Sequence, residues 1–332
     1  MANATSISIR PFADRDEAAV LELLRASFEE WPREVKAAPQ EFFRWKHLQC
    51  PFGPSIKVVA EAEGAVVGFE GHLPWKLKVG RQTLQSSRGT DLCVHSSYRR
   101  RGVSIAIRGA IELSPDVALT WSNPSPQSRP GSLRFGRSDV GLVPPYVRPT
   151  ASLPKRLRSV IANKPTEGTV QADAESAGEA LRHRPQISRL LTQVASPPAR
   201  LTTDRTLDYL QWRYGQFDEY RAICSEPHNG PAGIVIFRVH RRGAIWISDV
   251  CEVLVERNDL GATRALLRRV RAAASSDVIV CNFQSHREAA SFGFVQHLHG
   301  PQLVTLPRRN DLVPDPTRID SWALSRGDLE LL

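Results

Sequence analysis

The pattern of apolar and polar positions predicts a strand and then a helix at the start of the chain. Residues 6–11 alternate like an edge strand, and residues 14–28 place apolar side chains at helical spacing. Asp14 or Asp16 can cap that helix. Residues 57–61 and 65–72 then predict a hairpin about Glu63-Gly64.

The next elements continue this order of strands and helices. Residues 76–79 and 82–86 predict a second, weaker strand pair about Gly80-Arg81. Residues 117–122 predict a further strand that ends at Asn123, and residues 128–135 predict a short helix. The first part of the chain is therefore predicted to be an α/β unit with one sheet.

Residues 90–113 carry the most informative pattern. A short apolar strand is followed by a polar turn, three consecutive arginines, a glycine and a helix with an apolar face. The helix begins at Val103, and Pro115 ends the pattern. Free N–H groups at a helix start bind anions, glycine lets backbone amides approach a ligand, and arginines add charge-assisted hydrogen bonds. The arrangement predicts a phosphate site; the alternative is a solvated basic turn.

The second half of the chain repeats part of this pattern. The hexapeptide at residues 209–214 (YLQWRY) echoes residues 42–47 (FFRWKH), and both are followed by strands, a helix and another strand. In the second half the turn at residues 256–261 reads ERNDLG. Its two carboxylates would repel a phosphate.

Length and composition set further limits. A chain of 332 residues predicts two domains, and its net charge of +9 comes mostly from scattered arginines. Because there is no DNA-reading motif, we expect no nucleic-acid partner. The five cysteines are far apart and odd in number, so we expect neither a disulfide framework nor a metal site. No apolar run is long enough for a membrane span and no secretory signal is visible, so a cytoplasmic location is expected.

The basic turn resembles the [QR]-x-x-G-x-[GA] signature of the GCN5-related N-acetyltransferases (GNAT). Arg99 and Gly102 match it, and Ser104 stands where a Gly or Ala is usual. The resemblance implies an α/β (α+β) fold of two tandem acyl-CoA N-acyltransferase-like domains, each a mixed, splayed sheet flanked by helices. It also implies acetyl-CoA as acyl donor. The expected pyrophosphate contacts are Arg99, Arg100, Arg101, Gly102, Val103 and Ser104.

The resemblance further implies that the sheet splays so that the pantetheine arm bonds to an open strand. The expected contacts are Leu92, Cys93 and Val94, with Asn123 at the end of the next strand. The segment before the first hairpin would shape the acceptor site, through Trp45, Lys46 and His47. The alternative is that Phe42, Trp45 and Leu48 are the buried face of a short helix.

Candidate catalytic groups follow from the same resemblance. The general base is commonly a carboxylate, and the candidates are Asp91, Glu70 and the neighbouring His72. The tyrosine that often protonates the leaving thiolate is missing, because Ser132 stands at its position and Arg137 replaces the following aromatic residue. Tyr146 is the proposed substitute, and bulk water is the alternative.

We therefore predict four segments. They are a CoA-binding GNAT domain (1–149), a linker rich in proline and charge with short helices (150–200), a degenerate GNAT-like domain (201–312) and a tail (313–332) that docks on the second domain. The expected activity is transfer of an acetyl group to a primary amine of a small molecule, sugar or peptide. Two alternatives remain open: a non-catalytic acyl-CoA-binding scaffold, and transfer of an aminoacyl or longer acyl group.

Overall fold

The computed structural model describes residues 6–28, 31–32, 35–154, 172–182, 184–194, 197, 199–225 and 233–329. One of the short helices predicted in the linker spans residues 155–161, and it lies outside this part of the chain. Helices in the described part are all too short or too polar to cross a bilayer. The same residues contain no group of three or more His, Cys, Asp or Glu side chains placed to hold a metal ion.

The first sheet is built mainly from the N-terminal part of the chain. Its strands are β1 (Ile7–Pro11), β2 (Ile56–Ala62), β3 (Ala65–Val79), β4 (Gln82–Val94), β5 (Leu119–Ser122), β6 (Ser138–Leu142) and β15 (Gln302–Pro307). Its helices are α1 (Glu17–Ser27), α2 (Pro39–Leu48), α3 (Val103–Gly109) and α4 (Arg129–Arg134). A short strand, β9 (Thr202–Thr203), pairs with β3 at Leu77 and Lys78.

The second sheet uses later residues. Its strands are β7 (Tyr146–Pro149), β8 (Glu175–Ser176), β10 (Tyr220–Ser225), β11 (Gly233–Arg242), β12 (Ile245–Val255), β13 (Val278–Cys281) and β14 (Val295–Gln296). The helices are α5 (Ala177–Ala180), α6 (Arg184–Gln193), α7 (Leu207–Gly215), α8 (Leu260–Ala273), α9 (His286–Ser291) and α10 (Arg326–Leu329). Together the two sheets confirm the predicted fold class.

The two sheets have matching strand orders and exchange one strand. The first runs β1-β2-β3-β4-β5-β15-β6, and the second β8-β10-β11-β12-β13-β7-β14. The sixth strand of each sheet therefore comes from the other part of the chain. The domain limits at residues 149 and 312 stay a prediction. β7 lies within the predicted first domain but pairs in the second sheet, and β15 lies within the predicted second domain but pairs in the first sheet.

In both sheets the two neighbouring parallel strands separate after three paired residues. β4 pairs in parallel with β5 only over residues 86–88, although β4 continues to Val94. β12 pairs with β13 only over residues 247–249 and continues to Val255. In each sheet the two parallel strands pair over three residues only, and the rest of the longer strand has an open edge on that side. A splayed sheet has this geometry.

The halves share one hydrophobic core. It contains Trp45 and Trp75 from the first half with Leu210 and Tyr214 from the second. The tail packs against both halves, because Trp322 lies against the Trp121 ring at 5.6 Å and Leu324 accepts a hydrogen bond from Asn282. The tail therefore docks on the second half, as expected, and it also contacts the first half.

Most local predictions are confirmed with shifted ends. The first predicted helix starts as a single 3-10 turn, Asp14–Asp16, and continues as α1. Asp16, one of the two predicted caps, precedes α1 but makes no side-chain hydrogen bond to the helix start, and it accepts instead from the Ala13 amide at 2.8 Å. Leu48, placed by the sequence on a buried helical face, is 46% exposed.

Candidate active site

The basic turn between β4 and α3 is exposed and ends in a left-handed glycine. Gly102 has φ +79° at the start of α3, and Arg100 has φ +62°. A Cβ on Gly102 would meet no atom within 4 Å, so backbone conformation rather than space favours glycine. The amides of Val103 and Ser104 precede the first helical hydrogen bond, so helix geometry leaves them free for a ligand.

The arginines of this turn have different surroundings. Arg99, Arg100 and Arg101 are all exposed. Arg99 donates from Nε to the Val94 carbonyl at 3.0 Å, and the Arg101 guanidinium lies 5.3 Å from the Tyr98 ring centre. The structure therefore places three cations and two free amides at the mouth of the open edge of β4.

The open edge itself carries Leu92, Cys93 and Val94. Cys93 is buried in the main core, and burial raises the pKa of its thiol far above the usual range. Val94 packs beside the small core under α3. The β4 backbone bulges opposite β3 here, where the register shifts and Asp91 adopts φ +56°. Such a bulge changes the direction in which the side chains and backbone groups of a strand edge point.

Asn123 follows β5 and uses both ends of its amide. Its Oδ1 accepts from Arg88 at 3.3 Å, and its Nδ2 donates to the Gln302 carbonyl at 3.0 Å. Asn123 therefore ties β5 to the start of β15 at the point where the sheet parts.

Asp91 lies in a buried ion-pair network on the α2 side of the sheet. Its oxygens accept from Lys46 Nζ and His47 Nε2, both at 2.9 Å, and His47 Nδ1 lies 3.0 Å from Ser55 Oγ. Burial alone would raise the pKa of Asp91, but the Lys46 charge and the His47 hydrogen bond outweigh it and hold the pKa well below its usual range. Both carboxylate oxygens of Asp91 are therefore occupied by hydrogen-bond donors on α2.

The predicted acceptor residues on α2 are buried rather than open. Trp45 and Lys46 are 1% exposed and His47 is 0% exposed. Burial lowers the pKa of both Lys46 and His47 against the favourable effect of Asp91. The helix-face alternative describes Trp45 correctly, but apolar spacing did not predict that Lys46 and His47 would be buried too.

Glu70 and His72 lie together on the opposite face, and two arginines join them. His72 Nε2 and Arg108 Nε each lie 3.6 Å from Glu70 Oε1. Burial would raise the pKa of Glu70, but His72, Arg108 and Arg137 outweigh it and lower the pKa. Sequence reasoning missed Arg108, although a basic residue beside the apolar face of α3 was a signal.

Comparison with known proteins identifies this first half. Residues 8–109 match the family model of the acetyltransferase (GNAT) domain. The first half of the chain therefore contains a GNAT domain. Acyl transfer is the general chemistry of that family, and an acyl-CoA and an amine acceptor are its general reactants. No curated protein sequence matches the chain significantly.

Solved structures resemble most of the chain in fold. A probable N-acyltransferase from Enterococcus faecalis V583 is 12% identical with a TM-score of 0.65, covering 91% of this chain and 72% of its own. A GCN5-related N-acetyltransferase from Anabaena variabilis is 15% identical with a TM-score of 0.64, covering 90% and 72%. N-myristoyltransferase from Saccharomyces cerevisiae, solved with myristoyl-CoA and inhibitors, is 14% identical with a TM-score of 0.53, covering 92% and 81%.

Tyr146, the residue predicted to act as general acid, lies in the second sheet. It pairs with Cys281, and its ring packs against Phe283 and His286 at 5.6 Å each. Burial raises the pKa of its hydroxyl. The structure does not bring Tyr146 together with Glu70 or the basic turn, so its placement offers no support for the predicted role.

In the second half of the chain, the start of α8 is already capped. Asp259 Oδ1 accepts from the Gly261 and Ala262 amides at 2.7 and 3.0 Å. A cavity of about 320 Å³ lies beside the open edge of β12, lined in part by Glu252, Asn282 and Trp322. The amides that would hold a diphosphate beside this cavity already bind the Asp259 carboxylate. The candidate active site is therefore in the first half.

Proposed function

We propose that this GNAT protein transfers an acetyl group from acetyl-CoA to a primary amine of a small molecule, sugar or peptide, and that only the first half binds CoA. The single observation that carries the proposal is the continuity between the open edge of β4 and the exposed turn at Gly102. An extended ligand along that edge meets the free amides and arginines at its end.

The fit to acetyl-CoA follows from the groups present. The Val103 and Ser104 amides and the arginines of the turn suit a diphosphate. The open edge of β4 at Leu92, Cys93 and Val94, where Arg99 occupies the Val94 carbonyl, suits the amides of an extended pantetheine arm. Acetyl-CoA supplies an activated acyl group when bound, so the protein need only position the amine, accept a proton and stabilise the oxyanion.

We assign the proton-accepting role to Glu70 and His72. Asp91 is excluded from this assignment because Lys46 and His47 occupy both of its oxygens. Glu70 Oε2 and His72 Nε2 are buried and have no hydrogen-bond partner. A backbone N–H of β4 near Val94 would bind the developing oxyanion, as the family resemblance implies.

Titration calorimetry with acetyl-CoA, followed by CoA-release assays over an amine panel, tests the proposal. We expect saturable binding and release of free thiol with at least one amine. No binding at millimolar acetyl-CoA would overturn it.

A second function is favoured by a specific observation. The usual tyrosine position holds Ser132, and Tyr146 lies in the second core. A non-catalytic acyl-CoA-binding scaffold would fit this lack of a placed acid. Binding of acetyl-CoA without thiol release across the whole panel would support that function instead.

A further inference from the structure

A buried cluster of charged side chains lies between β3, α3 and the segment after α4. We call it the Glu70 cluster; its members are Glu70, His72, Arg108 and Arg137. Their exposed fractions are 3%, 3%, 6% and 5%. Charged residues are rarely buried this deeply unless they are paired and hydrogen-bonded.

The cluster leaves many polar atoms without hydrogen-bond partners. Arg108 Nη2 donates to Ser132 Oγ at 3.2 Å, Arg137 Nη1 donates to Ser122 Oγ at 3.0 Å, and His72 Nδ1 lies 3.0 Å from Ser87 Oγ. The buried atoms that remain unpartnered are Glu70 Oε2, His72 Nε2, Arg108 Nε, Arg108 Nη1 and Arg137 Nε. Each such atom costs free energy unless a further group binds it.

The charges in the cluster do not balance. Two guanidinium groups, Arg108 and Arg137, face one carboxylate, Glu70, and the serines that bind them are neutral. Burial lowers the pKa of Arg137, and Glu70 is the one carboxylate that opposes this effect. An uncompensated buried cation is strongly unfavourable. A ligand with one negative charge would balance the cluster.

The cluster adjoins the place where β4 leaves β5. Gly89 is the first residue of β4 beyond the pairing with β5. A Cβ on Gly89 would lie 3.3 Å from His72 Nε2, 3.4 Å from Arg137 Nη2 and 3.5 Å from Glu70 Oε1. At about 3.3 Å of rise per residue, Gly89 lies roughly 16 Å along the strand from Val94. The Glu70 cluster therefore lies at the end of the open edge where β4 leaves β5, and the turn proposed to bind the diphosphate lies at the opposite end.

We propose that the Glu70 cluster is the acceptor subsite and that the acceptor carries a carboxylate beside its amine, as an α-amino acid does. This inference rests on the proposed function. Arg108 and Arg137 bind the carboxylate through their unpartnered nitrogens, and Glu70 faces the amine. Polyamines are disfavoured because they would add positive charge to a cluster that already has a surplus.

The reaction at this subsite is an acyl transfer. The lone pair of the neutral amine forms a bond to the thioester carbonyl carbon, and the carbon–sulfur bond breaks. One amine proton passes to Glu70 Oε2, which later releases it to solvent, and the departing thiolate takes one proton from water to leave as free CoA. No oxidant, reductant or further reactant is needed.

The test compares amino acids with their amides. Glycine, alanine, leucine, phenylalanine and glutamate are each paired with the corresponding C-terminal amide, and binding is measured by calorimetry without acetyl-CoA. We expect at least one acid to bind tenfold or more tightly than its amide. Equal binding of every pair, or no binding of any acid, would overturn the inference.

Variants assign the preference to the arginines. Arg137→Gln should reduce the acid-over-amide ratio at least tenfold, Arg137→Lys should retain part of it, and the exposed Arg134→Gln serves as the matched control. Should Arg137→Gln not fold, as judged by its melting temperature, Arg108→Gln gives the same test. An unchanged ratio in a folded variant contradicts the proposal.

The experiments distinguish a failure of this inference from a failure of the proposed function. A protein that binds acetyl-CoA but shows no preference for acids keeps the proposed function and loses this inference. A protein that prefers acids but does not bind acetyl-CoA keeps a carboxylate site at Arg108 and Arg137 and loses the acetyltransferase proposal.

Discussion

Trp45 and Trp212 each donate an indole N–H to the backbone carbonyl of the other. The two Nε1–O distances are 2.7 and 3.0 Å, and the rings stack at 5.0 Å with an interplanar angle of 19°. The residues hold the same place in the two echoing hexapeptides. An approximate two-fold axis therefore passes between them, and α2 and α7 join the halves there.

This reciprocal pair should contribute measurably to stability. Trp212→Phe keeps much of the stacking area but removes one donor, so the buried Trp45 carbonyl loses its partner. We expect the free energy of unfolding to fall by about 1–3 kcal/mol in urea titrations. The half-exposed Trp246→Phe is the control, and equal effects of both substitutions would show that the paired N–H groups contribute nothing.

Gly102 should be required for acetyl-CoA binding. Gly102→Glu adds a carboxylate at the diphosphate turn, and the left-handed backbone costs roughly 1–2 kcal/mol of stability for a residue with a Cβ. We expect binding to be lost in calorimetry.

Gly64→Glu is matched to that variant in conformation, surroundings and charge. Gly64 has φ +78°, and its Cβ would also meet nothing within 4 Å. We expect a similar loss of stability with acetyl-CoA binding retained.

Asp259→Asn, at the capped helix of the second half, should leave acetyl-CoA binding unchanged. A loss of binding in this variant would show that the second half holds the cofactor.

Asp91 should act on stability in a way that depends on pH. Asp91→Asn leaves the buried Lys46 without its counter-charge, and we expect a loss of about 3–5 kcal/mol at pH 7. Because the folded-state pKa of Asp91 is depressed, its contribution is present above the ordinary value of 3.8 and is lost as pH falls through that value towards the folded pKa.

The gap between wild type and Asp91→Asn should therefore shrink in urea titrations at pH 3.5 relative to pH 7. Asp139→Asn, which breaks an exposed pair with Arg129, should change stability by less than about 1 kcal/mol at either pH. A constant gap across this range would mean that the Asp91 carboxylate is not what stabilises the fold.

Glu70 should be needed for turnover but not for cofactor binding. Glu70→Gln removes the proton-accepting oxygen while keeping the side chain's shape, and we expect the rate of CoA release to fall about 10²–10⁴-fold. The acetyl-CoA dissociation constant should stay within a factor of about three of the wild-type value. The exposed Glu112→Gln is the control, and full activity of Glu70→Gln would assign the base elsewhere.

Local patterns predicted much of the element order correctly. The sequence predicted the hairpin about Glu63-Gly64 and the strand, basic turn and helix around Gly102. It also showed the repeated hexapeptide that contains Trp45 and Trp212. Each depends on residues near one another in the chain, where periodicity of two or 3.6 and turn chemistry act directly.

Tertiary structure alone decided the strand exchange and the partners of the buried charges. Short strands such as β7 and β15 pair wherever an open sheet edge is available, and their local pattern carries no information about which edge that is. Lys46 and Asp91 are 45 residues apart, and Arg108 meets Glu70 only when α3 packs over β3. Burial turns these distant contacts into large free energies, because a charge removed from water is stable only beside the partner that the fold supplies.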